Sequence, residues 1–239
     1  MGGGAEAKDG DPAAGLYVVA TPLGNLGDLS VRARAVLTAA DFIACEDRRT
    51  TGNLLRHLGL SRPLIAYHEH NERTAAGTIA ERVAAGESVA LVSDAGTPTI
   101  SDPGFRVVRE CRRRGLPVFP VPGPSAALAA LSASGLPSDA FLFLGFPPPR
   151  SAARRKLLQE WKNFAGTVIF YESCHRIVAF VAEALEELGP DRTVAVGREL
   201  TKLHESWHVG PLTTVAVNLA RERPRGEYVL LIGPENFSF

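Results

Sequence analysis

The chain has 239 residues, 45% hydrophobic and 22% charged, with 26 Lys+Arg set against 26 Asp+Glu. That length suits one large domain or two compact ones, and a net charge of zero advertises no nucleic-acid partner through bulk charge, leaving only local basic patches for that role. Cys45, Cys111 and Cys174 are odd in number, far apart and without a CxxC, which argues against a disulfide framework or a thiolate zinc site and fits a reducing cytoplasm.

Residues 1–14 are rich in Gly, Ala and Asp and lack an apolar core, so they read as a disordered leader and not a signal peptide. LYVVA (16–20) reads as a strand and LSVRARAVLTAA (29–40) as a helix. DFIACE (41–46) is a strand, followed by a helix over TGNLLRHL, then the strand PLIAY (63–67). TAAGTIAERVAAG is a helix closed by Gly86. SVALV (88–92) is a strand, FRVVRECRRRG a helix and PVFPV (117–121) a strand. Strands apolar on both faces, alternating with helices, argue a mostly parallel sheet covered by helices.

PVPGPSAA (120–127) marks a junction. A helix from Ser125 to about Ser134 follows, then the strand FLFLGF (141–146) and the basic helix RSAARRKLLQEWKNF. TVIFYE (167–172), the helical HRIVAFVAEALEELG, RTVAVG (192–197) and EYVLLIG (227–233) complete the series. The reading is two α/β domains, 15–121 and 122–239, with a mixed sheet in the second. No stretch approaches the ~20 apolar residues of a membrane span.

Ligands of parallel α/β sheets bind beyond the carboxyl ends of strands. Two loops occupy such places: ATPLGNLGDLS (20–30) and SDAGTPTISDPG (93–104). Small residues there admit a ligand to the backbone, and Asp94 accepts hydrogen bonds from an amine or hydroxyl. Either loop alone is equally a tight turn. Neither a GxGxxG fingerprint nor a P-loop is present.

Taken together and in order, TPLGNLGDLS, EDRRTTGNLL, HEHNE, SDAGTPTISDPG, VPGPSA, FYESCHR and GRELTKLHE closely resemble the tetrapyrrole methylase superfamily. Within it they look like the ribosomal RNA small subunit methyltransferase I branch, over about 16–233. Departures are Arg48, where the branch often has Thr, and Cys174, where it commonly has Pro. Many members also continue past the last strand into a small helical extension, whereas this sequence stops at Phe239.

The resemblance implies the tetrapyrrole methylase fold, S-adenosylmethionine as cofactor, and no metal. It places cofactor contacts at Pro22, Leu23, Asp94, Ala95, Gly96, Thr97 and Ile100, and in the second domain at Ser125, Ala126, Tyr171 and Glu172. It implies 2′-O-methylation of a cytidine ribose in 16S rRNA near the decoding centre, within the small ribosomal subunit, by a cytoplasmic homodimer. A ribose hydroxyl is a weak nucleophile, so a base or alkoxide partner is needed. Glu46, Asp47, Glu172, Arg198 and Lys202 are the candidates. Glu46–Arg49 serve equally as a structural ion network, and Glu172 with His175 as braces of their own loop. Arginines in CRRRG (111–115) and RSAARRK with Arg150 are candidate phosphate contacts.

Two other readings stand beside this one. A methyltransferase of the same fold acts on a small tetrapyrrole. HESWH (204–208) matches the H-E-x-x-H of zinc hydrolases, which requires both His on one face of a helix. Pro211 would cut such a helix short.

Overall fold

A computed structural model describes residues 13–239; the leader expected over 1–14 falls almost wholly outside them. The chain divides into two units, one running through Ser125 and the other Ala126–Phe239.

The first unit is a five-stranded, all-parallel sheet in the order β3-β2-β4-β1-β5. Its strands are β1 (Gly15–Val19), β2 (Phe42–Cys45), β3 (Leu64–Ala66), β4 (Ser88–Val92) and β5 (Val118–Val121). β4 is buried at every position, as a strand covered on both faces must be. Alternation sends Ile43 and Cys45 to one face, beneath helices α1 (Val31–Ala39) and α2 (Arg48–His57). Ala44, Val89 and Leu91 go to the other, beneath α3 (Glu72–Ala84) and α4 (Phe105–Arg113). Ala76, Ile79, Ala80 and Val83 give α3 one buried stripe at helical spacing. Ser30 caps α1 by accepting from the Ala33 N–H at 3.0 Å.

This winding has a consequence for function. β1 and β4 are hydrogen-bonded neighbours, yet β1 leads into α1 on one face and β4 into α4 on the other. Their connections therefore diverge at the carboxyl edge. The crevice left between them is a topological switch point.

The second unit is a mixed sheet in the order β6-β7-β10-β8-β9. β6 (Phe141–Gly145) runs parallel to β7 (Thr167–Ser173). β8 (Thr193–Arg198), β9 (Ser206–Pro211) and β10 (Glu227–Ile232) pair antiparallel. One face packs under α6 (Ser151–Trp161), α7 (Ile177–Leu188) and α8 (Leu212–Arg221). The other carries α5 (Ala126–Ser134) through Ala127, Ala130 and Leu131. β9 and α8 are not anticipated by the sequence reading. They also settle the H-E-x-x-H motif: His204 lies in a turn and His208 in β9. Neither histidine is on a helix, so the one-face arrangement the motif requires is not formed.

Candidate active site

The crevice of the first unit is built from backbone up. Thr21, just past β1, bridges to Gly96, just past β4: Thr21 N–H donates to the Gly96 carbonyl at 2.8 Å and Gly96 N–H to that of Thr21 at 3.0 Å. The Thr21 hydroxyl, buried, donates to the Ser93 carbonyl at 3.2 Å. Thr97 Oγ1 donates to the Pro124 carbonyl at 2.9 Å, tying in the segment after β5. Three strand ends thus share one hydrogen-bonded rim. It brings together Pro22, Leu23, Asp94, Ala95, Gly96 and Thr97, with Ser125 one residue beyond Pro124.

Gly96 sits at φ +80°, and a Cβ there would lie 3.2 Å from Leu23 Cδ2. A side chain would be strained by the backbone and would crowd Leu23. Gly123 is constrained by space alone, since a Cβ there would lie 3.0 Å from that of Ala20. Thr99 and Ser101 also hold positive φ, at 76° and 62°, which is rare for side-chain-bearing residues and rarer for a β-branched one. Ile100 between them stays exposed.

The carboxylates of this rim divide by role. Asp47 caps α2, with Oδ1 accepting from the Arg49 N–H at 2.7 Å. That bond, together with the Arg49 charge, holds its carboxyl below the ordinary range. Asp94 Oδ1 accepts from the Asp47 N–H at 3.2 Å. Partial desolvation, with the Asp47 charge beside it, nevertheless pushes Asp94 upward. Glu46 is half-buried and also pushed upward, first by desolvation and then by Asp94, Asp102 and Glu69. Asp47 is therefore a structural cap, while Glu46 and Asp94 are carboxylates whose ionisation the fold opposes.

In the second unit the candidates separate. Tyr171 and Glu172 are adjacent on β7 and leave opposite faces of the sheet. The Tyr171 hydroxyl accepts from the Ala127 N–H at 3.0 Å, so this donor at the start of α5 is already engaged. Glu172 is 1% exposed; its Oε1 accepts from Ser173 N–H at 2.7 Å and Arg176 Nε at 2.9 Å. It braces its own loop. Arg198 Nε donates to the Arg225 carbonyl at 2.9 Å, and Lys202 Nζ pairs with Glu199 and Glu227, both at 2.9 Å. The HEH segment is likewise a self-bonded turn, in which His68 N–H donates to Asn71 Oδ1 and Asn71 Nδ2 to the Ala66 carbonyl.

Comparison with known proteins gives this geometry its context. Residues 15–216 match the family described as tetrapyrrole (corrin/porphyrin) methylases. A ribosomal RNA small subunit methyltransferase I of Mesorhizobium japonicum is 49% identical over 92% of this chain and 75% of its own. That of Vibrio cholerae is 49% identical over 91% of this chain and 76% of its own. The chain belongs to the ribosomal RNA small subunit methyltransferase I family. Its fold is also that of a uroporphyrin-III C-methyltransferase from Thermus thermophilus solved with S-adenyl homocysteine, at TM-score 0.62, 21% identity, and coverage of 91% and 96% of the two chains.

A methyltransferase of this family handles a cofactor bearing an ammonium and a sulfonium. The crevice suits such a group: Gly96 lets Leu23 pack against the backbone, and at Glu46 and Asp94 burial and neighbouring carboxylates outweigh any positive charge. Sequence reasoning passed over Thr21, whose buried hydroxyl locks the two loops together, and Arg176, which holds Glu172. Thr21 had a signal in its position at the end of a buried strand; Arg176 had none beyond its spacing of four from Glu172.

Proposed function

We propose that this chain transfers a methyl group from S-adenosylmethionine to the 2′-oxygen of a cytidine ribose in 16S rRNA, near the decoding centre of the small ribosomal subunit. The observation that carries the reaction class is the crevice between β1 and β4, where Gly96 at positive φ is bridged to Thr21 beside the carboxylates of Glu46 and Asp94. The acceptor class is supported by the names of relatives sharing about half their residues with this chain. The tetrapyrrole alternative has support only at the level of fold. The family resemblance further supports a homodimer at work in the cytoplasm.

When bound, the cofactor supplies a methyl group activated by its sulfonium charge. The chain's part is to bind, align and deprotonate. Pro22, Leu23 and the 94–97 turn would hold the cofactor at the rim, with Ile100 and Ser125 beside it. Asp94 would meet its cationic end. Glu46, its carboxyl pushed upward by burial and neighbouring carboxylates, would accept the proton of the 2′-hydroxyl. Alignment and exclusion of water supply the remainder. The net charge is zero and the sequence carries no aromatic-rich RNP motif for naked RNA, so the assembled particle is the preferred acceptor.

The test is incubation with labelled S-adenosylmethionine and small subunits lacking the modification, alongside calorimetry of cofactor binding. Label should appear on ribose and depend on the 2′-hydroxyl. Gly96→Val should weaken the cofactor at least tenfold and Asp94→Ala should weaken it with the fold intact. Base-nitrogen methylation would overturn the acceptor assignment, and normal cofactor binding by both variants would overturn the site.

A further inference from the structure

The basic groups singled out in the sequence are largely spent inside the fold. Arg154 is buried against Glu183, and Arg155 pairs with Glu186 and Glu187. On α4, Arg113 and Arg114 both bind Glu110, while Arg106 binds Glu72 of α3.

The α1–α2 face is different. These two helices carry exposed Arg32, Arg34, Arg48, Arg49 and Arg56 and contain no Asp or Glu. Arg49 pairs loosely with Asp47 at 3.5 Å. Among the described residues no ion pair engages Arg32, Arg34, Arg48 or Arg56. Three of these are held by neutral acceptors instead. Arg32 Nη2 donates to the Pro120 carbonyl at 2.6 Å, Arg34 Nη2 to that of Leu58 at 3.4 Å, and Arg56 Nη1 to Asn53 Oδ1 at 2.8 Å. A neutral acceptor orients a guanidinium and lowers its entropic cost without cancelling its charge. The Arg34 bond also links the two helices into one surface. At its upper end stand Val31, 88% exposed, and Leu26, 42% exposed. Arg48 and Arg49 open α2, two residues past Glu46.

We propose that the α1–α2 face is the surface on which this unit docks the phosphate backbone of its RNA acceptor. The inference rests on the reading of the chain as an RNA methyltransferase and adds the place where RNA is gripped. Oriented, uncompensated guanidiniums bind phosphate oxygens in paired fashion and supply affinity and register, not sequence choice. The exposed aliphatic pair gives sugars an apolar contact beside them. A chain with no net charge thereby presents a local cationic tract that ends at the proposed base.

The test compares the wild type with Arg34→Gln/Arg48→Gln/Arg56→Gln and, on α4, Arg109→Gln/Arg112→Gln/Arg113→Gln. Binding to small subunits lacking the modification and to protein-free 16S rRNA is measured between 50 and 200 mM salt, about the range where phosphate contacts reveal themselves. The α1–α2 variant should bind at least tenfold more weakly to both, with a log–log salt slope smaller by about 2. Its calorimetric affinity for S-adenosylmethionine should be unchanged, and the α4 variant should lie within about threefold of wild type. An unchanged slope, or equal losses in the two variants, overturns the inference. So does a loss on the particle with none on free RNA, which would assign the face to a ribosomal protein. If the wild type binds RNA with this slope but transfers no methyl group, the catalytic reading fails and the docking face survives.

Discussion

Glu46 is held in a state that costs the fold something. Desolvation and three neighbouring carboxylates oppose its ionisation, so the folded chain binds this proton more tightly than the unfolded chain does. The linkage has one sign: the penalty is absent below the ordinary carboxylate range and complete once pH exceeds the raised value. Glu46→Gln should therefore melt higher than wild type at pH 7, with the difference closing as pH falls through the carboxylate range. The same substitution should cut turnover by about 100-fold or more while leaving cofactor affinity near wild type. Differential scanning calorimetry and single-turnover kinetics measure the two effects. A variant that is less stable at pH 7 would contradict the electrostatic account, and one with wild-type turnover would remove Glu46 as base. Asp47, one residue on, behaves oppositely, because a helix terminus and an arginine stabilise its charge. No sequence pattern distinguishes these two neighbours. The distinction arises from which of them meets the first N–H groups of α2.

At the scale of elements, α6 and α7 are joined by a buried bidentate pair. Arg154 Nε and Nη2 donate to Glu183 at 2.7 and 2.6 Å, and Arg154 Nη1 donates to the Pro149 carbonyl at 2.8 Å. Both side chains are 8% exposed. Removing one partner strands a charge, so Arg154→Met should cost about 3–5 kcal/mol in denaturant unfolding. Arg154→Met/Glu183→Leu should recover most of that loss. A double variant as unstable as the single one would mean that the helices depend on the pair for more than mutual neutralisation. This pair also shows why parts of the chain resist reading. RSAARRK looks like a solvated basic face, and the glutamate that buries its middle arginine lies 29 residues away. The buried strands are legible because LYVVA and SVALV are apolar on both faces and have no stable alternative. LTTVAVNLAR is not: Thr213, Thr214, Val215 and Val217 are β-branched and weak helix formers. It is helical as α8 because Leu212, Val215 and Leu219 fall on one face and are buried in the second unit's core. Tertiary burial outweighs local preference there. The strand-end loops were legible for a different reason, since their position past apolar runs marks them whatever their internal structure.

For the molecule as a whole, a formal charge of zero conceals segregation, with carboxylates raised in pKa at the crevice and uncompensated arginines on one pair of helices. The parallel sheet of the first unit segregates something else. Every loop assigned a role there leaves a carboxyl end of a strand. The turns at the opposite edge, near 59–63 and 114–117, return the chain and are assigned no role in the chemistry. Ser61, Arg62 and Pro63 are exposed, and so are Arg113, Arg114 and Gly115. Such an edge can be opened without touching the chemistry. A flexible Gly/Ser peptide of about ten residues inserted after Ser61 or Gly115 should leave methyl transfer within about twofold, since lengthening a surface loop costs little closure entropy. The same peptide after Pro98 should abolish it. Activity lost equally at both edges would mean the return turns are part of the working surface. Otherwise one rim of the sheet carries the enzyme's trade, and the other is ground on which a reporter, an affinity handle or a new chain terminus can be planted.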